Sequence, residues 1–99
     1  MLDKLQSADF SGCLNQIFRL RLEDLDPIPL ELTSVTELGA AYVPGGRRPF
    51  SLLFLGPPGP QYLLQGTYHL EHEGLGAFDL FIVPLGPQEG RMQYEAVFT

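Results

Sequence analysis

A chain of 99 residues is the size of one domain, and 44% apolar residues are enough for a single core rather than a disordered segment. Twelve acidic against six basic residues leave a net charge of −6, a field that repels phosphate and argues against nucleic-acid binding. Eleven glycines, nine prolines and no tryptophan point to short strands joined by tight turns rather than to long helices.

The first residues, "MLDKLQSADF", lack the uninterrupted apolar core of a signal peptide. The segment "SADFSGCLN" predicts a short helix, with Ser7 as N-cap, Asp9 in the first turn and Asn15 as a left-handed stop. Phe10 and Leu14, four apart, are expected to face the core together. Cys13, the only cysteine, cannot form an internal disulfide and reads as a small buried hydrophobe.

From Gln16 the period changes to two. "QIFRLRLE" places Phe18, Leu20 and Leu22 on one face and Arg19 and Arg21 on the other. After an "EDLDP" turn, "PIPLELTSVTEL" aligns Ile28, Leu30 and Leu32; Pro27 and Pro29 favour an edge or a strand start. "GAAYVPGGRRP" is a loop around Gly45 and Gly46. "FSLLFLG" then predicts a strand that "PPGP" should end, with Phe50, Leu52 and Phe54 on one face.

The stretch "GTYHLEHEGLGAFDLFIVPLG" reads as a hairpin, its second strand closed by Pro84. Its apolar run is far shorter than the ~20 residues of a membrane helix, so no membrane partner is expected and the expected location is cytoplasmic. "MQYEAVFT" supplies a last strand with Met92, Tyr94, Ala96 and Phe98 on one face. Six strands at short spacing, several apolar on both sides, predict an all-β fold of one domain over residues 1–99. The form expected is a six-stranded antiparallel meander closed into a small barrel with a short N-terminal helix; a two-sheet sandwich is the alternative. Phe54, Leu80 and Phe81 are expected in its core.

The segments "FSLLFLGP", "LLQGTYHLEHEGLGAFDLFIVPLG" and "YEAVF", in this order, resemble a family of short bacterial proteins classed as a domain of unknown function. Its members read "FsLlFrGp", "qGtYrleHp.lG.f.lFlvPvg" and "YEAvFN". Leu55 stands where members often carry a polar or basic residue, and Thr99 replaces the usual final Asn. The resemblance implies a small assembly or adaptor role associated with phage-tail-like proteins. Within these motifs Gly66, Gly74, Gly76 and Gly86 read as turn positions that need positive φ or close backbone approach. Tyr68 and Tyr94 are expected to bury their rings and hydrogen-bond their hydroxyls, and Phe81 and Phe98 to be core.

Catalytic patterns are sparse. Ser51 lies inside a strand with no G-x-S-x-G turn around it, and neither "PGGRRP" nor "GPPGP" has the context of a phosphate-binding loop. His69 and His72 are three apart, which on a strand sends them to opposite faces and makes joint metal binding poor. His69 can pair with Glu71, and His72 should point inward and hydrogen-bond the "EGLG" turn. No metal, cofactor or catalytic residue is expected. The favoured expectation is a non-catalytic module with a protein partner or a second copy of itself. Its surface would be Tyr42, Val43, Arg47 and Arg48 in the glycine loop, or Tyr62, Leu63 and Leu64, where alternation is poor. The competing expectation is a small ligand-binding or hydrolytic barrel with polar groups converging near His69, Glu71 and His72.

Overall fold

The computed structural model describes residues 5–39 and 48–98. Helix α1 (Ser7–Ser11) precedes strands β1 (Ile17–Arg21), β2 (Ile28–Glu37), β3 (Phe50–Pro58), β4 (Gly66–His72), β5 (Gly76–Gln88) and β6 (Arg91–Phe98). The strands form a closed antiparallel barrel in the order β1-β2-β3-β6-β5-β4. Closure leaves no room for the sandwich alternative and pairs β1 with β4.

The order departs from a continuous meander at one connection. β3 does not turn back onto β4, because Pro57, Pro58 and Pro60 lack the amides a hairpin ladder uses. The chain instead crosses one end of the barrel through residues 59–65. β4 then starts beside β1, and β6 returns beside β3, with Phe50 opposite Phe98 and Phe54 opposite Tyr94.

Alternation fills the interior as the pattern requires. Phe18 and Leu20, Leu30 and Leu32, and Phe50, Leu52 and Phe54 are buried from the first three strands. Leu70, then Phe78, Leu80 and Ile82, then Tyr94, Ala96 and Phe98 are buried from the other three. Phe10 from α1 plugs the end where β1, β3 and β5 begin. Its ring centroid lies 6.2 Å from Phe18, 5.8 Å from Phe50, 5.9 Å from Phe78 and 5.3 Å from Phe98.

The helix is shorter than its sequence pattern suggests, and two expectations change with it. Its N-cap is Gln6, whose amide donates to Asp9 Oδ2 at 2.8 Å. Ser7 lies within the helix, and its hydroxyl reaches Glu37 Oε2 on β2 at 2.9 Å. Since α1 ends at Ser11, the four-residue spacing from Phe10 to Leu14 no longer defines one face. Cys13 is buried in the core and Leu14 is exposed. Asn15 does adopt the left-handed conformation, φ 67°, and its amide donates to Leu32 O at 2.7 Å, delivering the chain to β1.

Two strands run past prolines that were expected to end them. β3 continues to Pro58, opposite Arg91, and β5 continues through Pro84 and Pro87 to Gln88. Past Ile82, β5 pairs only with β6, so one edge of each late residue faces no strand and a missing amide costs no ladder bond. Gly86, φ 138°, sits at the register shift that separates the Pro84–Tyr94 and Gly86–Gln93 pairs. Of the other glycines expected at turns, Gly76 has φ 84°, while Gly66 and Gly74 are not in the positive-φ region.

Phe81 is corrected most clearly. It is 51% exposed, while Phe54 and Leu80 are buried. On a strand with Phe78, Leu80 and Ile82 inward, residue 81 must share the outer face with Asp79. We expect Phe10→Ala to lose ~3–5 kcal/mol in a urea melt, as a truncated aromatic in a packed core. Phe81→Ala should stay within ~0.5 kcal/mol of the wild type, as a surface change does.

Candidate functional site

The histidine-rich strand β4 divides its side chains between solvent and core. His69 and Glu71 face outward. His69 Nδ1 lies 3.0 Å from Asp79 Oδ1 on β5, and its Nε2 lies 3.9 Å from Glu71 Oε2. Arg21 Nε donates to Glu71 Oε1 at 2.9 Å, so the group is a ladder of polar side chains across β1, β4 and β5. All four side chains are at least a third exposed, and such pairs contribute roughly 0–1 kcal/mol. Among the described residues no group of three or more His, Cys, Asp or Glu side chains is placed to hold a metal ion.

His72 is buried and its ring stacks on Phe18, centroids 4.4 Å apart. Its Nδ1 accepts from the amides of Gly74 at 3.0 Å and Leu75 at 3.1 Å. Amides can only donate, which fixes the proton on Nε2, where it is donated to Gln16 Oε1 at 2.7 Å. Both ring nitrogens are therefore engaged in holding the β4–β5 turn to the start of β1. A Cβ on Gly74 would stand 3.4 Å from the His72 ring, an ordinary contact, so neither its φ nor its space requires the glycine expected there from sequence. A shallow polar concavity of about 360 Å³ lies over this end, lined by Asn15, Gln16, Ile17, Arg19, His72 and Glu73.

The opposite end of the barrel is built differently. Two inward-facing tyrosines pin the crossing segment: Tyr94 Oη accepts from the Leu63 amide at 2.8 Å, and Tyr68 Oη donates to Leu64 O at 2.7 Å. A Cβ on Gly56 would lie 3.1 Å from Tyr94 Cε2, so glycine there lets the Tyr94 ring seat against β3. Burial raises the Tyr94 phenol above its ordinary 10.0, against a smaller lowering by the Leu63 amide. Arg91 secures the β3 irregularity beside it, donating to Gly56 O at 2.7 Å and to Glu31 Oε1 at 3.1 Å.

Between the crossing segment and the β1–β2 turn lies a groove of about 300 Å³. Leu22, Leu25 and Ile28 form one wall, Pro57 with Gln61, Tyr62 and Leu63 the other, and Tyr94 also lines it. None of these side chains is charged. Leu25, Tyr62 and the adjoining Leu64 are 66%, 55% and 71% exposed.

Of the surface residues anticipated from sequence, Tyr62 stands exposed at this groove, Leu63 lines it while packing against the core, and Leu64 is exposed beside them in the chain. Arg48 is exposed. Tyr42, Val43 and Arg47, with Gly45 and Gly46, lie outside the described residues. Leu25, Ile28 and Gly56 were missed. The one available signal was Leu25 itself, a lone apolar residue among the acids of "EDLDP".

Two measurements check these assignments. His72→Phe leaves the Gly74 and Leu75 amides without their acceptor and should lower stability by ~1–3 kcal/mol, whereas His69→Ala should change it by at most ~1 kcal/mol. The raised Tyr94 phenol loses its proton later in the folded protein than in the unfolded chain. Stability should therefore hold up to about pH 10 and fall as the pH rises further, with less of that fall in Tyr94→Phe.

No helix among the described residues is long and apolar enough to cross a membrane. No curated protein and no solved structure matches the chain. The family model named Domain of unknown function (DUF6916) matches residues 5–98, through the helix and all six strands of the barrel. The chain belongs to the DUF6916 family.

Proposed function

We propose that this protein is a non-catalytic interaction and assembly module that engages a protein partner through the groove end of its barrel. The observation that carries this reading is the exposure of Leu25 and Tyr62 in the uncharged lining of the groove, with the exposed Leu64 next in the chain to the lining residue Leu63. Exposed apolar surface gathered in one place is the usual mark of an interface, whereas scattered single residues are not. The polar groups near His69, Glu71 and His72 support no chemistry on this reading. The first two stand in solvent, and the nitrogens of the third are occupied by the turn and by Gln16. A cytoplasmic setting fits the single buried thiol, Cys13, which burial raises above its ordinary 9.0 and keeps unreactive.

Affinity capture with cross-linking tests the proposal. The wild type should retain a defined partner that Leu25→Asp and Leu64→Asp lose, while Phe81→Asp, on the outer wall of β5, keeps it. Equal recovery by all four proteins would overturn the assignment of the interface to this end of the barrel.

A further inference from the structure

The groove carries more information than its apolar lining, because its surroundings define what can enter it. Along the β1–β2 turn, lining residues and acids interleave: Leu22, Leu25 and Ile28 line the groove, while Glu23, Asp24 and Asp26 stand exposed between them. None of the three acids has an ion-pair partner among the described residues. Asp24 is held at φ 61°, which fixes the turn that presents them. The nearby guanidinium groups are spent elsewhere, Arg91 on Glu31 and Arg21 on Glu71. In a chain of net charge −6, the acids of this mouth are paired with no cation among the described residues.

Tyr94 adds a second requirement. The residue is 2% exposed, and its hydroxyl accepts from the Leu63 amide but donates to no acceptor among the described residues. This hydroxyl proton belongs to a residue lining the groove and is free to donate to what enters it. A carbonyl oxygen entering with an apolar side chain would satisfy it.

Strand addition is disfavoured at the free stretches of β3 and β5. The stretches of β3 and β5 that lack a neighbour on one edge carry Pro57, Pro58, Pro84 and Pro87, which blunt those edges. A second copy of this chain is disfavoured too, since a two-fold contact would bring one acidic turn against the other. At about 300 Å³ the groove is at the lower end of small-molecule sites, roughly 300–1,000 Å³, with room for one large side chain.

We infer that the groove takes a peptide segment of a partner protein, anchored by one large apolar side chain and flanked by lysine or arginine. The inference rests on the interaction role proposed above and specifies the partner's chemistry. The apolar anchor fills the groove, its backbone carbonyl accepts from Tyr94, and the flanking cations meet Glu23, Asp24 and Asp26.

Fluorescence anisotropy on the full chain tests it with four labelled hexapeptide amides. These are Arg-Lys-Phe-Leu-Lys-Arg, its acidic counterpart Glu-Asp-Phe-Leu-Asp-Glu, the neutral Gly-Ser-Phe-Leu-Ser-Gly, and the anchorless Arg-Lys-Gly-Ser-Lys-Arg. The basic anchored peptide should bind saturably and at least about tenfold more tightly than the other three. Raising the salt from 50 to 300 mM should weaken it several-fold. Leu25→Ser should abolish binding, and Asp24→Asn with Asp26→Asn should weaken it several-fold, circular dichroism confirming that both variants fold. Equal binding of the acidic or the anchorless peptide would overturn the inference, as would binding indifferent to Leu25→Ser. If the neutral peptide binds best and depends on Leu25, the basic partner falls while the interaction role stands. If no peptide binds, the inference falls; the interaction role falls with it only if captured partners are also indifferent to Leu25→Asp and Leu64→Asp.

Discussion

A closed six-stranded barrel must fill its own interior, and Phe10 completes that filling. The strands supply rings at positions 18, 50, 78 and 98, all within 6.2 Å of the Phe10 centroid, and the space among them is left for a residue from outside the sheet. A helix of five residues has no stability of its own and forms because it carries that ring inward. The dependence is mutual. Without the plug, the aromatic end of the barrel would open onto water; without the barrel, the helix would not persist.

The two ends of the barrel are therefore not equivalent. One is sealed by stacked rings and by His72, whose hydrogen bonds all run to the protein's own chain. The other is sealed by a proline-bounded crossing segment that two tyrosine hydroxyls fasten at adjacent residues, Leu63 and Leu64. A segment pinned at its backbone can leave side chains outside, and Tyr62 and Leu64 are what it leaves there. The apolar rim is a consequence of how this end is closed.

The prolines decide more than turns. In "GPPGP" they prevent β3 from folding directly onto β4, which sends the chain across the barrel and makes β6 the partner of β3. In β5 they occupy the stretch beyond the β4 ladder, where a missing amide breaks no bond. The same residues that route the chain also protect the unpaired stretches of β3 and β5 from pairing with other chains.

Local periodicity was enough to place six strands, the inward faces of those that alternate cleanly and the separation of His69 from His72, because a side-chain period of two is a property of the extended backbone itself. Residue type at the helix end gave the left-handed Asn15, and the resemblance of three ordered motifs pointed to the family. What required the tertiary structure was everything that depends on which strand lies beside which. Alternation alone could not say whether Phe81 or its neighbours faced inward in a run apolar on both sides, though the outward Asp79 carries that information once noticed. It could not say that a helix ending at Ser11 would turn Leu14 outward and Cys13 inward. Nor could it bring Leu25, Tyr62 and Tyr94 together: they come from separate segments of the chain and meet only because the barrel closes and the crossing segment spans its end. Contacts of that separation are set by chain closure, on which neighbouring residues have no bearing.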